Sequence, residues 1–108
     1  MHRSFKITLP GDTNYHNLYT LMLAITGAAP TDGILPDRVA ELEMQADNGN
    51  GVNTVTVADG NNANTTGRAL TAGDIYLKRK DRNIICLRDY YLAGSAGGES
   101  VEVEIESN

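Results

Sequence analysis

Few residues of this chain have the type and spacing to carry chemistry, and they are scattered along it. The two histidines, His2 and His16, fall on a terminal segment and at the polar start of a helix-like stretch, and the spacing sets no carboxylate or thiol beside either one. A metal centre needs about three convergent ligands, so both histidines are expected to face solvent, and no metal or cofactor is expected. Cys86 lies between Ile85 and Leu87 in a strand-like run, where a free cysteine behaves as a small buried apolar residue. No base or cation is placed by the sequence to make it a thiolate nucleophile. As the single cysteine it also forms no internal disulfide. Asp47 to Gly51 and Asp59 to Asn64 resemble calcium loops, but neither has a glycine at the sixth position with a bidentate glutamate at the twelfth, so turn chemistry accounts for them better. Gly94 to Gly98 is glycine-rich without a following Lys-Ser or Lys-Thr pair or a helix start, which argues against a phosphate cradle. Asn64-Thr65-Thr66 matches a glycosylation acceptor, a site that matters only after secretion. These observations predict a protein that is not an enzyme.

One charge feature stands above the background. Between Lys78 and Arg88 lie Lys78, Arg79, Lys80, Arg82 and Arg88 against Asp81 alone, a net charge of +4, whereas from Asp89 onward there are five acids and no Lys or Arg. Such a run is commonly only a hydrated hairpin tip, but separated patches of opposite sign also set register and orientation between protein partners. The stretch from Asp59 to Gly67 is almost wholly small and polar and reads as an exposed loop that orders against a partner. The expected partner interface is therefore Lys78, Arg79, Lys80, Arg82 and Arg88 together with Asn61, Asn62 and Asn64 of that loop, and Tyr90-Tyr91 is the one candidate for an exposed aromatic contact. With no aromatic interleaved in the basic run, direct nucleic-acid binding is not expected.

The elements that must position these groups are mostly strands. Phe5, Ile7 and Leu9 alternate with Ser4, Lys6 and Thr8; Ala40, Leu42, Met44 and Ala46 alternate with Glu41, Glu43 and Gln45; Val101, Val103 and Ile105 alternate with Glu102, Glu104 and Glu106. That period belongs to half-buried strands. Asp74 to Lys78 and Asn83 to Arg88, the latter extending to Leu92, are further strand candidates, and Asp47-Asn48-Gly49-Asn50-Gly51 predicts a hairpin turn into a strand over Val52 to Val57. Leu18, Leu21, Met22 and Ile25 recur at helical spacing, with Asp12 and Thr13 as candidate caps and Gly27 as a stop. Ala28 to Pro36 reads as a surface crossing. The fold expected is mainly β: a compact, jelly-roll-like antiparallel β-sandwich with one amphipathic helix near the N-terminus, filling residues 1–108 as a single domain.

Composition bounds the partners. In 108 residues there is no Trp, one Phe and five Tyr, 41% of residues are hydrophobic, and the net charge is -5. An acidic balance opposes non-specific nucleic-acid binding, which needs an excess of Lys and Arg on a face, so a protein partner is expected. The first residues lack the apolar stretch of a secretory signal, and the longest apolar run, Leu21 to Ile25, is too short to cross a bilayer. A cytosol-like compartment with no membrane partner is expected.

Four segments carry a likeness to known proteins: Asn14-Tyr15-His16-Asn17-Leu18-Tyr19-Thr20-Leu21, Leu42-Glu43-Met44-Gln45-Ala46-Asp47, Gly67-Arg68-Ala69-Leu70-Thr71-Ala72-Gly73-Asp74 and Leu87-Arg88-Asp89-Tyr90-Tyr91-Leu92. Together they span most of the chain, which resembles small virion structural proteins of tailed bacteriophages. The resemblance implies a helix packed on a compact β-sandwich, a Gly-x-x-Leu-x-x-Gly-Asp turn that introduces a strand, an aromatic segment before a small-residue loop and terminal strand, and no catalytic residues. It leads to the expectation of a capsid decoration or cement protein. Such a protein assembles in the host cytoplasm, resides in the virion, and binds the major capsid protein or other virion proteins as a homo-oligomer, a trimer or dimer. A head-tail or tail component is the alternative in the same setting, and a small sugar-binding β-sandwich is the alternative from another class.

Overall fold

The structure, a computed structural model, describes residues 2–26, 35–59 and 67–108. Its strands are β1 (His2–Thr8), β2 (His16–Asn17), β3 (Arg38–Val39), β4 (Glu41–Ala46), β5 (Val55–Asp59), β6 (Gly67–Leu70), β7 (Ile75–Arg79), β8 (Ile85–Cys86), β9 (Tyr90–Gly94) and β10 (Ser100–Glu106), with one helix, α1 (Leu18–Thr26), after β2. Two four-stranded antiparallel sheets run in the orders β1-β10-β4-β7 and β2-β9-β5-β6, and β3 pairs with β8 beside them.

These orders have one simple origin. Successive pairs β1·β10, β2·β9, β3·β8, β4·β7 and β5·β6 are nested, so the chain is one long antiparallel ribbon whose two arms meet where β5 passes to β6. Folding that ribbon over itself adds the pairs β10·β4 and β9·β5, which complete the two sheets. The result is the expected mainly β jelly-roll sandwich with one helix.

Alternation decides which face each strand buries. In the first sheet the cross-strand rows Ile7–Val101–Ala46 and Phe5–Val103–Met44–Tyr76 face inward, and Val101, Val103, Leu42, Met44 and Ala46 are fully buried. Val55, Val57, Leu70 and Leu92 of the second sheet close on them, and Leu18, Tyr19 and Met22 of α1 join the same core with Leu35, Val39, Ile85 and Leu87. Leu9 continues the buried face past β1, its N–H donating to the Glu99 carbonyl at 2.8 Å.

Three sequence expectations are corrected. The helix begins at Leu18, not after Asp12 and Thr13, because Asp12 is engaged locally: its carboxylate accepts the Asn14 N–H at 3.0 Å and lies 2.8 Å from His16 Nε2. Asn17 is the cap instead, its side-chain oxygen accepting the Thr20 N–H at 3.2 Å. The hairpin across Asp47 to Gly51 does not form, since β4 belongs to one sheet and β5 to the other. There Asp47 accepts the Gly49 N–H at 2.9 Å and starts a 3-10 turn, while Asn50 imitates a strand neighbour, accepting the Ser100 N–H and donating to the Ser100 carbonyl at 2.8 and 2.9 Å. These contacts bend the chain out of the first sheet and leave Val52 fully exposed. Finally, the strand expected from Asn83 to Leu92 is broken by a 3-10 turn at Leu87–Asp89, which moves the chain from β8 into β9. Gly27 and most of the Ala28 to Pro36 crossing lie outside the described residues.

Candidate interaction surface

The basic run does not form one patch. Lys78 points inward from β7, half-buried, with its ammonium 5.9 Å from the centre of the Tyr76 ring. Arg79 points outward and donates through Nε and one terminal nitrogen to the two Glu41 oxygens at 3.3 and 3.2 Å. Arg88 sits on the 3-10 turn before β9, its guanidinium 4.0 Å above the Tyr19 ring and 3.7 Å from Asp37. Lys80 and Arg82 are exposed on the turn after β7, and Arg79 and Arg88 are exposed as well, each beside its acidic partner. The reason is topological: β7 pairs with β4 and β8 with β3, so the two strands flanking the run never become a hairpin. Asn61, Asn62 and Asn64 lie outside the described residues, between β5 and β6.

The aromatic pair is likewise divided. Strand alternation sends Tyr90 into the core, 5% exposed and edge-to-face with Tyr76 at 6.1 Å, while Tyr91 is half-buried on the opposite face. Burial, with Asp59 nearby, pushes the Tyr90 hydroxyl well above the usual phenol range. An exposed tyrosine pair is therefore not formed.

Both histidines do have carboxylates beside them, contrary to the sequence expectation. The register of β1 with β10 lays His2 against Glu104 at 3.1 Å and Glu106 at 3.8 Å, and the turn before β2 lays His16 on Asp12. The His16 hydrogen bond, reinforced by the Asn14 N–H, holds the Asp12 carboxyl below its usual range. Among the described residues no three such side chains are placed to hold a metal ion.

Pairing of β10 with β4 produces a feature the separate segments conceal. Glu102, Glu104 and Glu106 stand beside Gln45, Glu43 and Glu41 on the outer face of the first sheet, and β7 extends these rows with Ile75, Leu77 and Arg79. Glu43 lies directly opposite Glu104, and partial burial, followed by repulsion from Glu104, raises its carboxyl above the usual range. Next to this acidic field Ile75 and Leu77 are 44% and 45% exposed, an apolar strip on the edge strand. The alternating glutamates were readable as solvent faces; their adjacency was not.

Glu99 is the other residue that sequence reasoning passed over. Only 3% exposed, it turns its carboxylate into the glycine-rich loop, where one oxygen accepts the Ala96 N–H at 2.7 Å and the Ser95 hydroxyl at 3.4 Å. Among the described residues its second oxygen has no hydrogen-bond partner. Gly94 leaves the room for it: a β-carbon at that position would meet the carboxyl group, which would have to shift. The glycine-rich loop, which the sequence argued was no phosphate cradle, instead holds the Glu99 side chain. No helix among the described residues is long and apolar enough to cross a membrane.

Comparison with protein-family models, with curated proteins and with solved structures found no match.

Proposed function

We propose that the chain is a structural protein of a tailed-bacteriophage virion, acting as a decoration or cement protein on the head shell with the major capsid protein as its partner. The reading rests on the resemblance, and its main support is the way the resembling segments are used in the fold. Gly67 to Asp74 makes β6 and the turn into β7, with Asp74 accepting the Thr71 N–H and hydroxyl at 3.0 and 2.7 Å and Gly73 at a positive φ of 88°. Tyr90 to Leu92 lies in β9, ahead of the small-residue loop and the terminal strand β10, and α1 packs against the sandwich. Jelly rolls serve as capsid domains and as lectins, so the fold by itself does not choose between them. Against a sugar-binding module stands the burial of Tyr90, which removes the exposed aromatic pair such a cleft would use. The working contacts in this reading are the exposed Lys80 and Arg82, together with the sequence-expected Asn61, Asn62 and Asn64, which lie outside the described residues.

Mass spectrometry and electron microscopy of purified particles test the proposal. Copies in the hundreds arrayed on the shell are the expected outcome; a handful of copies at one vertex makes the chain a head-tail or tail component, and absence from particles overturns the reading. For particles stripped of the protein, Lys80→Glu with Arg82→Glu is expected to reduce rebinding and its salt sensitivity.

A further inference from the structure

Among the described residues the first sheet has two free edges, β1 and β7, and they differ. Each carries an inward-pointing cation, Arg3 over the Phe5 ring at 5.3 Å and Lys78 over the Tyr76 ring at 5.9 Å, a device that discourages unwanted pairing. Outward, β1 shows only His2, Ser4, Lys6 and Thr8, whereas β7 shows Ile75 and Leu77 about half exposed. The backbone of β7 is also set for a partner. Ala46 N–H donates to the Asp74 carbonyl and Lys80 N–H to the Ala40 carbonyl, so residues 74, 76, 78 and 80 face β4. In an antiparallel ladder the intervening residues point the other way, which directs the N–H and C=O groups of Ile75, Leu77 and Arg79 out of the edge.

We propose that β7 pairs antiparallel with β7 of a second copy about a two-fold axis at Leu77, joining two first sheets into one eight-stranded sheet. Three observations fit that occupant. The outward-pointing residues 75, 77 and 79 are symmetric about Leu77, so each edge group meets its complement: Leu77 bonds to Leu77 of the second copy, and Ile75 to Arg79. Every side-chain pair in this register is compatible, with Leu77 against Leu77, Ile75 against the aliphatic stem of Arg79, and Tyr76 against Lys78. The inward ammonium that would otherwise guard the edge therefore falls opposite an aromatic ring, where cation–π attraction favours it. No like charges face each other across the axis, and the exposed apolar strip is covered. Such a contact is isologous and closes at two copies. It follows from the geometry of the edge and does not depend on the virion reading.

The full chain, examined by sedimentation equilibrium across a concentration series, is expected to be a dimer. Leu77→Lys sets two ammonium groups face to face at an exposed position and removes the apolar pair, and it is expected to weaken dimerisation by at least about tenfold with an unchanged circular dichroism spectrum. Register is read in a Cys86→Ala background with a short bis-maleimide. Leu77→Cys is expected to cross-link, since the paired Cα atoms lie about 5.5 Å apart. Ile75→Cys, about 14 Å from its own copy in this register, is expected not to. A monomer at every concentration overturns the proposal, as does a dimer that Leu77→Lys leaves intact or one in which both cysteine variants cross-link equally.

Discussion

At the scale of single residues, Glu99 shows how a buried carboxyl group is held. Its carboxylate serves the backbone of the loop before β10, and Gly94 leaves it the space. Replacing Glu99 with Ala leaves the Ala96 N–H and the Ser95 hydroxyl without that acceptor, so a loss of about 1–3 kcal/mol is expected in chemical denaturation. Gly94→Ala should destabilise the wild-type chain and cost less in the Glu99→Ala background, a non-additivity expected of two groups in direct contact. Carboxyls on the surface give pH dependences of opposite sign. Glu43 is raised above its usual range, chiefly by partial burial and then by Glu104, so the folded state holds that proton more tightly than the unfolded one. Its unfavourable contribution is present above the folded pKa and relieved as pH falls through it. Glu43→Gln should therefore raise stability at neutral pH and lose that advantage in acid. Asp74 is lowered, mainly by hydrogen bonds from the Thr71 hydroxyl and N–H. Its contribution is present above the unfolded pKa and lost as pH falls through the folded one, so Asp74→Asn should cost stability at neutral pH and nothing at pH below both. Thermal melts of both variants from neutral to acid pH check these signs together.

At the scale of elements, alternation and capping determine what each segment does. Leu42 in β4 and Val103 in β10 are fully buried in the first sheet, and Leu42→Ala is expected to cost about 2–5 kcal/mol through lost transfer energy and the cavity left behind. Near-neutral denaturation midpoints for both Leu42→Ala and Val103→Ala would place the inward face elsewhere. For the helix the decisive residue is Asn17, whose carboxamide accepts the Thr20 N–H and donates to the Arg88 carbonyl at 2.7 Å. Asn17→Ala should lower stability by about 0.5–2 kcal/mol, whereas Thr13→Ala, outside the helix, should leave it nearly unchanged. The helix expected from Asp12 onward fails for a physical reason: an Asp followed by Asn14 and His16 has a competing local structure in the Asx turn, and helical spacing of Leu18, Leu21 and Met22 carries no information about where the first turn begins.

At the scale of the whole molecule, the nested ribbon makes nearly every strand contact non-local. β1 pairs with β10 across almost the full described chain, so loop-closure entropy must be met before the sheets yield any stabilisation. Refolding is expected in the range of roughly milliseconds to seconds, and stopped-flow fluorescence of the tyrosines would show it. A microsecond folding phase carrying the full amplitude would mean that local contacts dominate. The same ribbon places both ends of the first sheet's strand order, β1 and β7, at open edges, which is where contact between copies is decided.

The alternation of Phe5 to Leu9, Leu42 to Ala46 and Val101 to Ile105 was sufficient to determine that these segments are strands and which face each buries, because side-chain direction along a strand depends on the chain alone. Composition likewise determined a mainly β class, and the spacing of Leu18 and Met22 a helix. Pairing was decided only in three dimensions. Whether β4 turns back on β5 or crosses to the other sheet depends on Asn50 meeting Ser100 fifty residues away, and no local pattern encodes that meeting. Dispersal of Lys78, Arg79 and Arg88 to Tyr76, Glu41 and Tyr19, and the gathering of Glu43, Glu104 and Leu77 on one face, are consequences of that pairing. Charge read along the chain therefore indicated a single basic strip, whereas charge read across the sheets is an acidic face bordered by an apolar edge, since neighbours on a sheet are set by register and not by sequence.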